Sequence, residues 1–274
     1  MPDQPVQQAP PVQKLRLQYA KRGRLRFTSH RDFSRALERA VHRAGIPTAY
    51  SSGFNPHPRI SYANASPTGA ASEAEYLEIG LREVRDPDDV RRDLDAALPD
   101  GLDIVTVVVA GRGSLADRLE ASRWRVRLPG VPLNVAENAV RAFLASDSIE
   151  VERMTKKGLR TFDCRAAVVT LSAAGGQDDG GECAILELVL RHGTPSVRPD
   201  DVLAGLRETG GLVPGVPPLH TRLAQGPLDR QTGTVGDPLT PDRDAAHHES
   251  TTAAVERPPA SMHRAEDVAA LREP

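Results

Sequence analysis

Three groups of residues in this sequence have types and spacings that suit chemistry. Arg31, Arg35 and Arg39, continued by Arg43, recur every fourth position and share one face if the segment is helical. Like charges at that spacing repel by roughly 0.2–0.5 kcal/mol per pair, and Glu38 relieves only part of it. Guanidinium forks match phosphate oxygens, so the row suits a polyanion. Just upstream, Phe27-Thr-Ser-His-Arg-Asp32 places Ser29 and Asp32 as a helix-capping pair. Capping needs no imidazole, so His30 is left over at a helix N-terminus, where the dipole favours its neutral form. The third group is Ser51-Ser-Gly-Phe-Asn-Pro-His-Pro58. Pro56 and Pro58 fix two φ angles and push Asn55 and His57 toward extended backbone, giving a rigid loop that presents Phe54, Asn55 and His57 ahead of Arg59. His30, Asp32 and His57 also make up a possible acid–base set.

More basic residues surround these groups. Lys21, Arg22 and Arg24 fall in an expected hairpin before the helix, and Lys156, Lys157 and Arg160 in a loop of the second half of the chain. That loop stands between the second and third main strands, as residues 53–59 do in the first half, so the two loops are expected as a pair. The net charge of −2 conceals an asymmetry: residues 14–43 hold ten Lys and Arg against Asp32 and Glu38. Such a segment fits a polyanionic partner or, equally, an ordinary solvated helix and hairpin.

The elements that must position these residues occur twice. Leu77-Glu-Ile-Gly-Leu-Arg82 recurs as Leu186-Glu-Leu-Val-Leu-Arg191, and Arg16-Leu-Gln-Tyr19 matches the pattern of Arg125-Val-Arg-Leu128. Pro87-Asp-Asp-Val90 recurs as Pro199-Asp-Asp-Val202, each a good helix start, with proline at the first position and carboxylates near free N–H groups. Three matches in the same order point to duplication. Each half reads as strand, helix, strand, strand, helix, strand. The first half has strand 14–20 hairpinned to 24–28, helix 32–45, strands near 48–51, 59–63 and 75–82, helix 87–98 and strand 102–109. The second has strand 122–128, helix 134–146, strands 149–155, 164–172 and 183–190, helix 199–208 and a strand near 219–223. In helix 32–45, Phe33, Ala36, Leu37, Ala40, Val41 and Ala44 form the apolar face. The expected fold class is α+β, with two tandem ferredoxin-like (split β-α-β) halves, 13–112 and 118–224, on antiparallel sheets. Residues 1–12 and 225–274 lack apolar periodicity and are expected as disordered tails.

Composition narrows the function. The longest apolar run, Ile104 to Ala110, is far short of a membrane span and broken by Thr106; Met1 to Val12 does not have a secretory signal pattern. Cys164 and Cys183 fall at opposite ends of an expected hairpin, too far apart for a disulfide, so free thiols in a reducing cytoplasmic setting are expected. Two cysteines are too few for an iron–sulfur cluster, and the scattered histidines, His247-His248 included, lack metal-site spacing. No cofactor is expected.

The string Arg24-Leu-Arg-Phe-Thr-Ser-His-Arg-Asp-Phe33, then Arg35-Ala-Leu-Glu-Arg-Ala40, then Ala49-Tyr-Ser-Ser-Gly-Phe-Asn-Pro-His-Pro-Arg-Ile-Ser61 resembles the radical-SAM-associated protein family over roughly residues 13–224. Members carry a domain of unknown function fused to, or found beside, a cobalamin-binding radical SAM protein. The resemblance implies such a protein as partner, and Arg31 stands where an aliphatic residue is commoner in the family. A fainter likeness, at fold level alone, is to repeat-associated CRISPR RNA-processing proteins. Together these readings lead to a substrate-recognition subunit that binds structured RNA through its basic surface. Two alternatives stay open: a pure protein-interaction module, and a small cofactor-independent hydrolase or nuclease.

Overall fold

Leu15, Leu17 and Tyr19 alternate with Arg16, Gln18 and Ala20 along β1 (Gln13–Lys21), so the strand has two different faces. The first set packs with Phe33, Leu37 and Val41 of α1 (His30–Arg43) and with Val90 and Leu94 of α2 (Pro87–Ala97). The computed structural model describes residues 7–155, 158–178 and 181–246. Strand β1 lies antiparallel between β3 (Ala71–Leu81) and β4 (Leu102–Val109), and β2 (Ile60–Ala63) pairs with the other edge of β3. In the second half β5 (Ala121–Pro129) lies antiparallel between β10 (Leu219–Gly226) and β9 (Gly181–Arg191), and β8 (Val168–Asp178) flanks β9. Helices α3 (Leu133–Ala145) and α4 (Pro199–Gly210) cover this half. Both halves thus place their four main strands in the spatial order fourth, first, third, second. The repeated hexapeptides fall on β3 and β9, and the repeated Pro-Asp-Asp starts open α2 and α4.

The architecture is mixed α+β, with one large mixed sheet of eight strands among the described residues. This corrects the expectation of purely antiparallel sheets. Strands β3 and β10 pair in parallel at Ala71–Thr221 and Ser72–Arg222, joining the halves edge to edge. Beneath that joint Arg222 forms a buried ion pair with Glu75, whose other carboxylate oxygen accepts from Ser66 N at 2.9 Å.

Several boundaries also move. Residues 24–28 are not a strand: Gly23–Phe27 forms a 3-10 turn, entered through Gly23 at φ +52°. Residues 48–51 make only isolated bridges, Thr48 to Leu81 and Tyr50 to Pro58. The expected strand 164–172 starts later, as Val168–Asp178 (β8), because Arg165–Ala167 forms a 3-10 turn, and an additional strand precedes it. Gly158–Asp163 (β7) pairs with Glu150–Thr155 (β6) as a separate hairpin, and Asp163 Oδ1 then accepts from Ile149 N and Arg165 N, turning the chain before β8.

The C-terminal boundary is the largest correction. Gln225 and Gly226 complete β10, Leu228 bridges Val235, and Leu239 is fully buried against Tyr76, Val108, Leu115 and Leu119 on the sheet face opposite the helices. Residues 225–246 therefore belong to the folded body, whereas 247–274, with His247-His248, lie outside the described residues. At the other end residues 7–12 are irregular, with Val12 N bonded to Leu81 O at 2.8 Å; residues 1–6 are outside the described set. Cys164 and Cys183 are both free and buried, and burial pushes the Cys164 thiol up to about 12. Among the described residues no helix is long and apolar enough to cross a membrane.

Candidate nucleic-acid interface

Helix α1 starts where the sequence says it should. Ser29 Oγ accepts from Asp32 N at 3.2 Å and bonds Asp32 Oδ2 at 2.7 Å. Phe33, Leu37, Ala40 and Val41 anchor the inner face, leaving Arg31, Arg35 and Arg39 exposed. None of these three arginines makes an ion pair among the described residues. Arg35, Glu38, Arg39, His42 and Arg43 line a shallow open depression, while Arg43 Nη1 also caps α2 by donating to Ala97 O at 3.1 Å.

The expected basic hairpin does not contribute in full. Lys21 is buried at 6% exposure, and burial lowers its pKa, opposed by nearby Glu75. Arg22 is clamped between Glu73 and Asp103, with Nε 2.9 Å from Glu73 Oε1. Lys21 is thus withdrawn from the surface, and Arg22 stays exposed with its charge already paired. Arg24 stays exposed in the turn that precedes the helix, and the Arg26 guanidinium lies 4.6 Å from the Phe27 ring centre.

The proline-rich loop is closed on itself. Ser51 N donates to His57 O at 2.8 Å, His57 N to Ser51 Oγ at 3.0 Å, and Arg59 Nε to Tyr50 O at 2.9 Å. Arg59 therefore staples the loop, while Phe54 (76% exposed), Asn55 and His57 face solvent. At its base Tyr50 and Pro58 share a depression with Glu38, Val41 and His42, so the loop flanks α1.

The acid–base set is not assembled. His30 packs edge-on to Tyr62 at 4.8 Å, Asp32 is held by Ser29, and among the described residues no hydrogen bond joins either to His57. The two loops are anchored to different elements. The β6–β7 hairpin is tied to α4 and the segment before it, through Arg153 bonding Asp201 and Ser196 O, whereas the proline-rich loop belongs to α1. Arg160 is exposed on the hairpin; Lys156 and Lys157 are outside the described residues.

The sequence reading missed a cleft between the halves, of about 220 Å³, lined by Phe27, Thr68, Gly69, Trp124, Asp200 and His220 among others. Gly69 N donates to Arg26 O at 2.8 Å, fixing the turn that carries Phe27. Trp124 Nε1 donates to Ser122 Oγ at 2.8 Å, and Arg222 lies over the indole at 5.4 Å. His220 Nε2 is buried without a hydrogen-bond partner, 3.4 Å from Asp200 Oδ1. The one available signal was Trp124, the only tryptophan of the chain. Among the described residues no three His, Cys, Asp or Glu converge to hold a metal ion.

A family model described as "Uncharacterized protein conserved in bacteria (DUF2344)" matches residues 14–199. Among solved structures, an unknown protein from Galdieria sulphuraria is similar at 13% identity and TM-score 0.22, covering 77% of this chain and 98% of that one. DyPB from Rhodococcus jostii RHA1 is similar at 11% identity and TM-score 0.18, covering 85% and 97%. Similarities of that size carry no argument about fold or function. No curated protein matches the chain.

Proposed function

The chain belongs to the bacterial protein family DUF2344, and from that footing we propose that it recognises structured RNA on behalf of a radical SAM enzyme. The observation that carries the RNA reading is the α1 row. Arg31, Arg35 and Arg39 stand exposed at one-turn spacing and form no ion pair among the described residues, with only Glu38 on the same helix to offset a mild mutual repulsion that bound anions would relieve. Arg24 is exposed in the turn that precedes the helix, and the loop of Phe54, Asn55 and His57 stands beside α1. Such a surface suits the phosphates and 2′-hydroxyls of an RNA helix, with an aromatic side chain available for an unpaired base. The enzyme partner is supported by the motif string that ends in Gly53-Phe-Asn-Pro-His-Pro-Arg59.

We further read the chain as two tandem ferredoxin-like halves that arose by duplication. The shared strand order and the position of the repeated segments on equivalent elements support this. The hydrolase reading draws no support from the geometry of His30, Asp32 and His57. The test of the RNA reading is binding of tRNA- and rRNA-derived fragments across a salt series, with and without the radical SAM protein. Salt-dependent binding supports it. Its absence in both settings would hand the arginine row to an acidic protein partner.

A further inference from the structure

We propose that the cleft between the two halves takes one unstacked nucleobase, stacked on Phe27 and held at its edge by Asp200 and Thr68. This deepens the RNA reading and rests on it. Phe27 is 59% exposed and lines the cleft together with Pro199, Pro217 and Trp124, so its ring is open to a ligand seated there. The ring is also fixed in place: Arg26 lies over it at 4.6 Å, Gly69 N holds Arg26 O, and Gly69 itself sits at φ +96° against the ring. A preset aromatic face backed by a guanidinium is the arrangement on which single-stranded bases stack.

Size and charge narrow the occupant. A volume of about 220 Å³ is smaller than the roughly 300–1,000 Å³ of drug-sized pockets, so it admits one planar ring system. Asp200 stands in the first turn of α4, 68% exposed at the rim. Its carboxylate repels phosphate and accepts from N–H groups, which selects the edge of a base over the backbone. Guanine, with two adjacent N–H donors on one edge, is the best match. His220 Nε2, buried without a hydrogen-bond partner and 3.4 Å from Asp200 Oδ1, gives the rim a second polar group that a bound base can engage after a small shift. The turn carrying Phe27 leads directly into α1, so a strand tracked by Arg31 and Arg35 reaches the cleft at the helix start.

Trp124 lines the cleft and is the only tryptophan, so its fluorescence reports on this site. The experiment titrates the full chain with guanosine 5′-monophosphate, using ribose 5-phosphate as the control for phosphate, with calorimetry alongside. Saturable binding of the nucleotide and none of ribose 5-phosphate is expected. Phe27→Ala, a surface change, should weaken nucleotide binding by at least about five-fold, given the usual strength of base–aromatic stacking. Asp200→Asn should weaken it as well. If neither fluorescence nor heat responds to the nucleotide, or Phe27→Ala binds it unchanged, or ribose 5-phosphate binds equally, the proposal is overturned. Nucleotide binding that saturates while RNA shows no salt-dependent affinity would sink the RNA reading alone and leave a nucleoside site. Normal RNA binding with an unresponsive cleft would sink the cleft alone.

Discussion

Arg16 Nη1 donates to Asp242 Oδ1 at 2.7 Å, joining residues 226 positions apart on the sheet face opposite α1 and α2, where residues 240–246 form a helical turn. Asp242 also accepts from Arg118 Nη1 at 2.7 Å and from Gly111 N at 2.8 Å. The segment after β10 thus gives a second acidic partner to an arginine that β1 buries at 2% exposure and that also pairs with Glu78 at 2.9 Å. Breaking a buried pair outright typically costs about 3–5 kcal/mol; with Glu78 still in place, the loss of Asp242 should fall toward or below the lower end of that range. A chain ending at Ala224, or the variant Asp242→Ala, is expected to lose stability of that order in denaturant unfolding. An unchanged midpoint would mean that residues 225–246 merely rest on the surface.

Helices α3 and α4 touch through small residues. A methyl group added at Gly210 would lie 2.4 Å from Ala139 Cα, and one at Gly205 would lie 2.8 Å from the Phe143 ring. Gly210→Ala is therefore expected to destabilise by about 1–3 kcal/mol, despite alanine's better helix propensity. A neutral or stabilising result in thermal unfolding would contradict this packing.

Two histidines set the response to mild acid. Burial lowers the pKa of His192, partly opposed by its bond to Leu119 O, and burial lowers that of His220, opposed by Asp200. Folded values below the ordinary 6.5 mean that the unfolded chain takes up these protons first as pH falls. Stability should be fully present above about pH 6.5 and decline as the pH falls below it. The double variant His192→Gln/His220→Gln should flatten that decline in urea unfolding; an equally steep decline would show that other groups govern it.

The repeats made both halves and their helix starts legible, because Ser29 and the Pro-Asp-Asp segments act through local geometry that sequence displays directly. The joint between the halves was not legible. A two-residue parallel pairing at Ser72 and Arg222 carries no periodic signal. The tail was misread for a related reason: Leu228, Leu239 and Asp242 are buried singly against distant residues, so they show no apolar period. Of the basic residues, local spacing identified the exposed α1 row. The burial of Lys21 and the engagement of Arg22 depended on Glu75, Glu73 and Asp103, which only the fold brings near.

The proline-rich loop separates shape recognition from charge. His57→Ala and Phe54→Ala alter exposed side chains on a loop held by backbone bonds and by Arg59, so folding should be unaffected. Each is expected to weaken RNA binding, or the activity of the proposed radical SAM partner on RNA, while leaving the salt dependence of binding nearly unchanged. Wild-type behaviour of both variants in both assays would remove the loop from the interface.

The most direct measurement of the central claim is the slope of log affinity against log salt for a structured RNA fragment. It compares wild type with Arg35→Gln and with Arg35→Gln/Arg39→Gln. Neither residue forms an ion pair among the described residues, so stability should be unchanged or slightly raised by relief of repulsion. Every arginine–phosphate pair removed should lower the slope's magnitude by about 0.7–0.9, giving a stepwise series. A slope identical in all three proteins, or no salt-dependent binding by wild type with its partner enzyme present, would contradict RNA recognition by this helix.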